Sequence, residues 1–210
     1  MRLFLVRHGD AHAGFDGVIS GRTGCLGLTD LGRRQAEALR DYLASSGRIH
    51  ADVLLASELP RAIETASIIA PGLGLATFGR ACDLCEVHTG EADGLAWTEY
   101  ATRYGGFDME AEPDRVFARE GESWNSFHGR VRSMLERVAA EYEGQTVVAV
   151  CHAGVIMASV RLLLGSPQTG QGAVLRPSNT GLTEWQRDPL LARWALHSFN
   201  EATHLLALDG

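Results

Sequence analysis

An arginine and a histidine stand next to each other at the end of the first apolar segment, in the tripeptide Arg7-His8-Gly9. A guanidinium presents a planar fork of donors that fits phosphate oxygens, and an imidazole can act as a nucleophile near neutral pH. The preceding run, residues 3–6, predicts a buried strand, and Gly9 lets the backbone turn where that strand ends. Because open α/β sheets bind ligands beyond the carboxyl ends of their strands, this position suits a phosphate site.

Two further strand ends carry groups of the same kind. Residues 146–150 predict a buried strand that ends at Cys151-His152-Ala153-Gly154. The strand predicted at residues 51–56 is followed by Arg61, near the start of a helix that Pro60 favours. A helix N-terminus is itself favourable for anions. If these strands are neighbours, two arginines and two histidines converge on one pocket, which is the arrangement that phosphoryl transfer requires.

Strand and helix patterns alternate along the chain, and this alternation decides the predicted fold. Helices are predicted after Thr29, from Pro60, around residues 127–138 and over residues 155–164, and a pair of strands is predicted at 181–185 and 194–199. The pattern predicts an α/β protein, a three-layer sandwich with a mostly parallel central sheet. Residues 9–27 form a Gly-rich loop that is too long for a simple connection, so we predict a binding loop there.

Residues 87–122, here called the cap segment, lack a clean periodicity and are rich in Glu, Asp, Gly and aromatic residues. We predict that they form a small insertion, or cap, over the edge of the sheet. A length of 210 residues suits a single domain, 1–210, that includes this insertion. Several aromatic residues could line a substrate cleft, although closure of the cap onto the core is the expected role: Trp97, Tyr100, Tyr104 and Trp124.

Composition excludes several classes of function. The net charge of −7 and the absence of a basic stripe argue against nucleic acid or an anionic membrane as a partner. No apolar run approaches the ~18 residues of a membrane span, and the opening six residues are too short for a signal peptide, so we expect a cytoplasmic protein. The chain contains no lysine, since all 19 basic residues are arginine. Schiff-base chemistry and P-loop nucleotide hydrolysis are therefore excluded.

The four cysteines are expected to be reduced in such a chain: Cys25, Cys82, Cys85 and Cys151. Cys82-x-x-Cys85-x-x-His88 has the spacing of part of a metal or redox site. A tetrahedral zinc site usually shows a second ligand pair, which is not evident in the sequence. Packing beside a functional loop is therefore the expected role of Cys82 and Cys85, and no metal is expected.

Six segments, considered jointly, resemble the histidine phosphatase superfamily, whose fold is phosphoglycerate mutase-like. The resemblance extends over nearly the whole chain. Its motifs are Leu-Val-Arg-His-Gly at 5–9, Leu-Thr-Asp-Leu-Gly at 28–32, Ser-x-Leu-x-Arg-Ala-x-x-Thr-Ala at 57–66, Glu-Val-His-x-Gly at 86–90, Gly-Glu-Ser at 121–123 and Val-x-Val-Cys-His-Ala-Gly at 148–154.

The resemblance implies a role for each matching residue. His8 would be the nucleophile that takes the phosphoryl group as phosphohistidine, and Arg7, Arg61 and His152 would bind the non-bridging oxygens. Glu86 would protonate the leaving oxygen and then activate the water that cleaves phosphohistidine. The resemblance implies neither a metal nor another cofactor, because arginine and histidine supply the charge stabilisation.

Other positions leave alternatives open. Glu91 could replace Glu86 as the acid, since the position of the acid varies within the superfamily. Arg22, in the Gly-rich loop, could bind substrate or be solvent-exposed. Asp10-Ala11 stands where Glu-Thr is frequent, an asparagine often found later in the loop has no counterpart around Gly14, and Ala153 replaces the usual glycine.

The function that these observations favour is a metal-independent phosphomonoesterase that hydrolyses a small phosphate ester through phosphohistidine. A phosphoglycerate mutase-type transfer is the nearest alternative, but its substrate carries further anionic groups, and the cap segment offers only Arg103, Arg115 and Arg119 among many acids. A non-catalytic module that binds phospho-ligands would be favoured if a pocket residue were missing, and all five are present. The sequence leaves the substrate and the oligomeric state open.

Overall fold

A computed structural model describes residues 1–12, 17–106, 108, 109, 111–166 and 174–208 of the chain. Gly14 therefore lies outside the described residues. Six strands form one sheet: β1 (Arg2–Arg7), β2 (Val53–Ala56), β3 (Gly79–Arg80), β4 (Thr146–Cys151), β5 (Leu182–Arg187) and β6 (Trp194–Glu201). Their spatial order is β3-β2-β4-β1-β5-β6. The first four strands are parallel to one another, and β5 is antiparallel to both β1 and β6, so the sheet is mostly parallel, as predicted.

Five α-helices occur in the described part of the chain: α1 (Asp30–Ser46), α2 (Pro60–Ile69), α3 (Trp97–Tyr104), α4 (Trp124–Glu141) and α5 (Ala153–Leu164). Capping side chains and a proline explain where three of these helices begin. The Thr29 side chain accepts the backbone N–H of Gly32 and caps α1, and Ser123 and Ser126 form a capping box at α4. Pro60 occupies the first turn of α2, where its missing N–H costs nothing.

The core lies on both faces of the sheet. Along β1, Leu3 and Leu5 pack in one cluster with the buried faces of α4 and α5, while Phe4 and Val6 pack in a second cluster with α1 and α2. This alternation follows from the two-residue period of a strand. It produces the predicted three layers, helices on both sides of a central sheet.

The cap segment contains a short 3-10 turn (Gly90–Ala92) and helix α3, which the sequence did not predict. Its side chains and Ile19 form a third apolar cluster, which includes Tyr100, Phe117 and Ala118. Asp93 accepts backbone N–H groups from Gly21, Thr23 and Gly24, at distances of 2.7 to 2.9 Å. The cap segment therefore holds the Gly-rich loop. Burial alone would raise the pKa of Asp93, but these hydrogen bonds outweigh it and lower that pKa.

The sheet order brings the predicted strand ends together. β4 pairs with both β1 and β2 in parallel, so that Arg7 lies opposite Cys151 and Ala56 lies opposite Val150. His8 donates its backbone N–H to the Cys151 carbonyl at 3.0 Å, just beyond the paired strands. Groups that follow these three strands therefore share one edge of the sheet. Within the described residues, no helix is both long and apolar enough to cross a membrane.

Candidate active site

A cavity of about 430 Å³ opens at this edge of the sheet. It is lined by Arg7, His8, Asp10, Ala11, Val18, Ser20, Arg61, Glu86, Trp97 and Asn179. We call it the phosphate cavity. Its walls come from the end of β1, the first turn of α2, the Gly-rich loop, the segment after β3, the cap segment and the segment before β5. Two arginines and a histidine thus meet two carboxylates, Asp10 and Glu86, although these residues are distant in the sequence.

His8 is held by its own strand end and by two neighbouring segments. Its Nδ1 lies 2.7 Å from the Gly9 carbonyl oxygen, which can only accept, so Nδ1 carries the proton and Nε2 carries the lone pair. Asn179 donates its side-chain N–H to the His8 carbonyl at 3.0 Å. Gly9 donates its N–H to Thr65 at 3.0 Å. A Cβ at Gly9 would meet the Gly32 backbone at 2.5 Å, so Gly9 is needed for the close approach to α1.

Arg61 joins this histidine to the Gly-rich loop. Its Nε donates to Nε2 of His8 at 3.2 Å, and its Nη1 donates to the Ser20 carbonyl at 3.1 Å. Burial, together with the positive charges of Arg61 and Arg7, holds the pKa of His8 well below its ordinary value, although the Gly9 carbonyl acts in the opposite direction. The His8 ring is therefore neutral at neutral pH, as a nucleophile must be.

Arg7 lies beside His8 on the cavity wall. One Nη1 donor reaches the Pro177 carbonyl at 2.7 Å, and Nε is buried without a hydrogen-bond partner among the described residues. Burial lowers the pKa of Arg7, while the carboxylates of Glu86 and Asp10 act against that effect. An anion that accepts from Nε would satisfy this donor.

His152 packs against His8 with ring centroids 5.0 Å apart. Its Nε2 is hydrogen-bonded to the Ser57 hydroxyl at 2.8 Å, and its Nδ1 has no partner among the described residues. The residue is fully buried. Burial, with the positive charge of Arg61, holds the pKa of His152 well below its ordinary value.

Glu86 reaches the phosphate cavity from the segment after β3. One carboxylate oxygen accepts the N–H of Gly154 at 3.0 Å, at the N-terminus of α5, and the other accepts the N–H of Val87 at 3.1 Å. A helix N-terminus stabilises a carboxylate. A Cβ at position 154 would collide with the Glu86 carboxylate, so the glycine makes room for the acid.

The alternative acid and the loop arginine lie elsewhere. Glu91 is 3.4 Å from Arg119 and is not among the residues that line the phosphate cavity, which favours Glu86 as the acid. Arg22 is exposed and paired with Glu58 at 2.5 Å. It lines a second cavity of about 530 Å³, which shares Glu86 with the phosphate cavity. Arg22 is therefore placed beside the phosphate cavity rather than within it.

Three site residues were not given a site role by sequence reasoning: Ser20 and Asn179, which line the phosphate cavity, and Ser57, which contacts His152. Asn179 and Ser20 lie in irregular segments that carry no periodic pattern. Ser57 was recognised only as a helix start, yet its hydroxyl contacts both His152 and Cys85. Trp97 lines the phosphate cavity, whereas Tyr100 packs inside the third apolar cluster, as closure of a cap requires.

The Cys82-x-x-Cys85-x-x-His88 motif forms a compact cluster on the wall of the second cavity. One ligand atom from each side chain lies within 4.8 Å of the other two. The Cys85 thiol is buried, which favours its neutral form, but hydrogen bonds from His88, Ser57 and the Glu58 backbone lower its pKa overall. All four cysteines are free.

Comparison with known proteins places this chain in a family. The sequence profile of the histidine phosphatase superfamily (branch 1) matches residues 3–202. A metal-independent phosphoserine phosphatase from Arabidopsis thaliana is 29% identical over 207 residues, 97% of this chain and 82% of that protein. A probable phosphoglycerate mutase from Yersinia enterocolitica is 28% identical over 211 residues, 98% of this chain and 95% of that protein.

A solved structure agrees with these matches. The mycobacterial glucosyl-3-phosphoglycerate phosphatase in complex with VO3 superimposes with a TM-score of 0.76 at 27% identity, and the alignment covers 95% of this chain and 98% of that one. The chain therefore belongs to the histidine phosphatase superfamily (branch 1) and is a phosphomonoesterase of that family.

Proposed function

We propose that the protein hydrolyses a small phosphate monoester without a metal ion, through a phosphohistidine formed on Nε2 of His8. The observation that carries this proposal is the state of His8. Its Nδ1 donates to the Gly9 carbonyl, its pKa is lowered by burial, and Nε2 therefore presents a lone pair at neutral pH. Two arginines beside this nitrogen supply the positive charge that a phosphoryl group needs.

In the first step the phosphoryl group moves from the ester oxygen to His8. The Nε2 lone pair accepts the Arg61 Nε–H, so a binding phosphate must take over that donor. Arg7 Nε is a further buried donor without a partner, and we assign it to the non-bridging oxygens. His152 Nδ1, which also has no partner, would donate to them as the second N–H of an imidazolium that the phosphate dianion stabilises. The bond between phosphorus and the ester oxygen breaks as the bond to Nε2 forms, and Glu86 gives its proton to the leaving oxygen.

In the second step water regenerates the histidine. The Glu86 carboxylate removes a proton from the water as its oxygen attacks phosphorus, and the bond to His8 Nε2 breaks to release inorganic phosphate. Two backbone N–H groups, from Val87 and Gly154, hold the Glu86 carboxylate in place. The proton that Glu86 gives to the leaving oxygen in the first step is thus regained from the attacking water in the second.

The cap segment favours hydrolysis over mutase-type transfer. A mutase substrate would need cations for its carboxylate and second phosphate, but none of the three cap arginines lines the phosphate cavity. Arg119 pairs with Glu91, Arg115 contacts Glu112 and the Tyr104 carbonyl, and Arg103 lies over the Tyr104 ring. Two similar proteins are named as phosphatases of phosphoserine and of glucosyl-3-phosphoglycerate. These two compounds define the class of small phosphate ester to screen as substrates.

We further propose that residues 87–122 act as a cap within a single domain, because Trp97 lines the phosphate cavity while its neighbours pack on the Gly-rich loop. Arg22, on the adjoining cavity, would contact the part of the substrate that leaves with the ester oxygen. The four free thiols fit a reducing cytoplasm.

Chemical trapping tests the covalent step. Rapid acid-free quenching of the reaction with a ³²P-labelled ester should leave label on the wild-type chain, and that label should be stable in alkali and lost in acid. Mass spectrometry should place it on His8. His50→Ala, at an exposed position remote from the cavity, is the control and should be labelled like the wild type. Label at another residue, or turnover without any labelled chain, would contradict the proposal.

A further inference from the structure

We propose that Cys82, Cys85 and His88 bind one zinc ion beside the phosphate cavity, with the fourth coordination position open to the 530 Å³ cavity. This site is separate from the phosphoryl chemistry, which needs no metal. Zinc prefers sulfur and imidazole ligands, and a site with three protein ligands keeps one position for water or another small ligand.

The distances suit a tetrahedral ion. Zinc–sulfur and zinc–nitrogen bonds of about 2.3 and 2.1 Å place neighbouring ligand atoms about 3.6 Å apart. Cys82 Sγ lies 3.5 Å from His88 Nε2, and all three ligand atoms lie within 4.8 Å of one another. Small side-chain rotations therefore suffice. Binding of Zn²⁺ would release both thiol protons to solvent, so the ion and two thiolates are neutral together.

A carboxylate lies on the Nδ1 side of the histidine, which is where metal sites usually place one. Glu122 Oε2 lies 3.7 Å from His88 Nδ1 and accepts the His88 backbone N–H at 2.9 Å. The carboxylate is therefore on the Nδ1 side of the ring, which leaves Nε2 directed at Cys82. Arg130 fixes Glu122 in turn through two contacts of 2.7 and 2.8 Å.

The same arginine holds the loop that carries the ligands. Arg130 donates to the carbonyls of Asp83 and Cys85 at 2.9 and 3.0 Å, and to the Glu86 carbonyl at 3.1 Å. The backbone is thus built around the cluster independently of any disulfide. Arg130 therefore preorganises the loop that carries the ligands.

The position of the site links it to the phosphate cavity. Its ligands lie on both sides of Glu86 in the sequence, so a bound ion would hold the loop that presents the acid. Cys85 Sγ accepts from the Ser57 hydroxyl at 3.3 Å, and Ser57 is hydrogen-bonded to His152. We therefore expect slower backbone hydrogen exchange over residues 82–90 when the ion is bound.

Cobalt titration tests the site by absorbance, without reference to turnover. The full-length chain, reduced and stripped of metal, should bind one Co²⁺, with a thiolate-to-cobalt charge-transfer band and intense visible bands of tetrahedral cobalt, and Zn²⁺ should abolish both. Cys82→Ser and His88→Ala should remove these bands. Glu122→Gln should weaken binding by about 10- to 100-fold, as expected for an outer carboxylate.

Matched controls use residues of the same types elsewhere. Cys25→Ser and His50→Ala should bind cobalt like the wild type, and circular dichroism should show that every variant is folded. Absence of the charge-transfer band from the reduced wild type, or an unchanged band in Cys82→Ser, would overturn the proposal. Zinc that binds with the same affinity to the wild type and to folded Cys82→Ser would also overturn it.

Discussion

Arg61 donates its Nε hydrogen to Nε2 of His8, and the two nitrogens are 3.2 Å apart. Nε2 is the nitrogen that we propose attacks phosphorus. The contact orients the His8 ring. Burial is the main cause of the lowered pKa of His8, and the positive charge of the Arg61 guanidinium lowers it further. The Nε2 lone pair accepts this hydrogen bond until a phosphate oxygen takes over the Arg61 donor. Arg61 therefore keeps the His8 ring neutral and oriented, and substrate binding makes the lone pair available for attack.

Arg61→Lys tests the guanidinium without removing its charge. Lysine cannot reproduce the fork that contacts His8 and the Ser20 carbonyl together, so we expect kcat/KM to fall by about 10²- to 10³-fold. Steady-state kinetics with para-nitrophenyl phosphate measure this loss. Arg34→Lys, on an exposed part of α1, is the control. Equal losses in both variants would show that Arg61 has no special part in the site.

Glu86→Gln tests the proton donor. We expect kcat for an alkyl phosphate to fall by about 10²- to 10⁴-fold, because a poor leaving group needs its proton, while an activated aryl phosphate is affected less. Glu91→Gln is the matched control and should retain wild-type rates on both esters, since Glu91 lies outside the phosphate cavity. The reverse pattern would transfer the role to Glu91.

Gly154→Ala tests whether the position of the Glu86 carboxylate depends on this glycine. The added Cβ would collide with the Glu86 carboxylate, so we expect the same dependence on the leaving group as in Glu86→Gln, with inhibition by vanadate largely retained. Gly129→Ala is the control, because a Cβ there meets nothing within 4 Å on the surface of α4. If Gly154→Ala cleaves the alkyl ester at the wild-type rate, Glu86 does not depend on this glycine.

The parts of this site that the sequence predicts are those with a local signal. Arg7, His8 and His152 each follow an apolar run, and the parallel order of β1, β2 and β4 brings such strand ends together. Arg61 has a comparable signal in Pro60, which marks the start of its helix. These positions depend on strand and helix periodicity, which is a property of short segments.

The remaining contacts depend on long-range geometry. Asn179 binds the His8 carbonyl from 171 residues away, and no periodic pattern surrounds it. Helix α3 has eight residues and a single buried side chain, Tyr100, so its apolar face does not recur over enough turns to be recognised in the sequence. Strand β3 has only two residues, both exposed. Tertiary contacts, rather than local preference, define these elements.

Acid should destabilise the fold through its buried histidines. Burial lowers the pKa of His204 from 6.5 to about 4, with Glu201 acting against it. As the pH falls from 6.5 towards 4, the unfolded chain takes up a proton that the folded protein refuses, so the free energy of unfolding decreases. His8 and His152 act in the same direction.

Urea unfolding at pH 7.5 and pH 5 measures this effect. His204→Gln should lose less stability between the two pH values than the wild type, because glutamine does not titrate. His50→Ala, whose ring is exposed, should lose as much as the wild type. Parallel losses in His204→Gln and the wild type would show that His204 contributes nothing to the pH dependence.

Hydrolysis of para-nitrophenyl phosphate by the wild type and by His8→Ala, in EDTA and across pH 5 to 8, tests whether His8 carries the phosphoryl group. We expect that the wild type turns over in EDTA, that vanadate inhibits it, and that His8→Ala falls to the background rate. Turnover that persists in folded His8→Ala, or a wild type that is active only with added divalent metal, would contradict a metal-independent phosphohistidine mechanism.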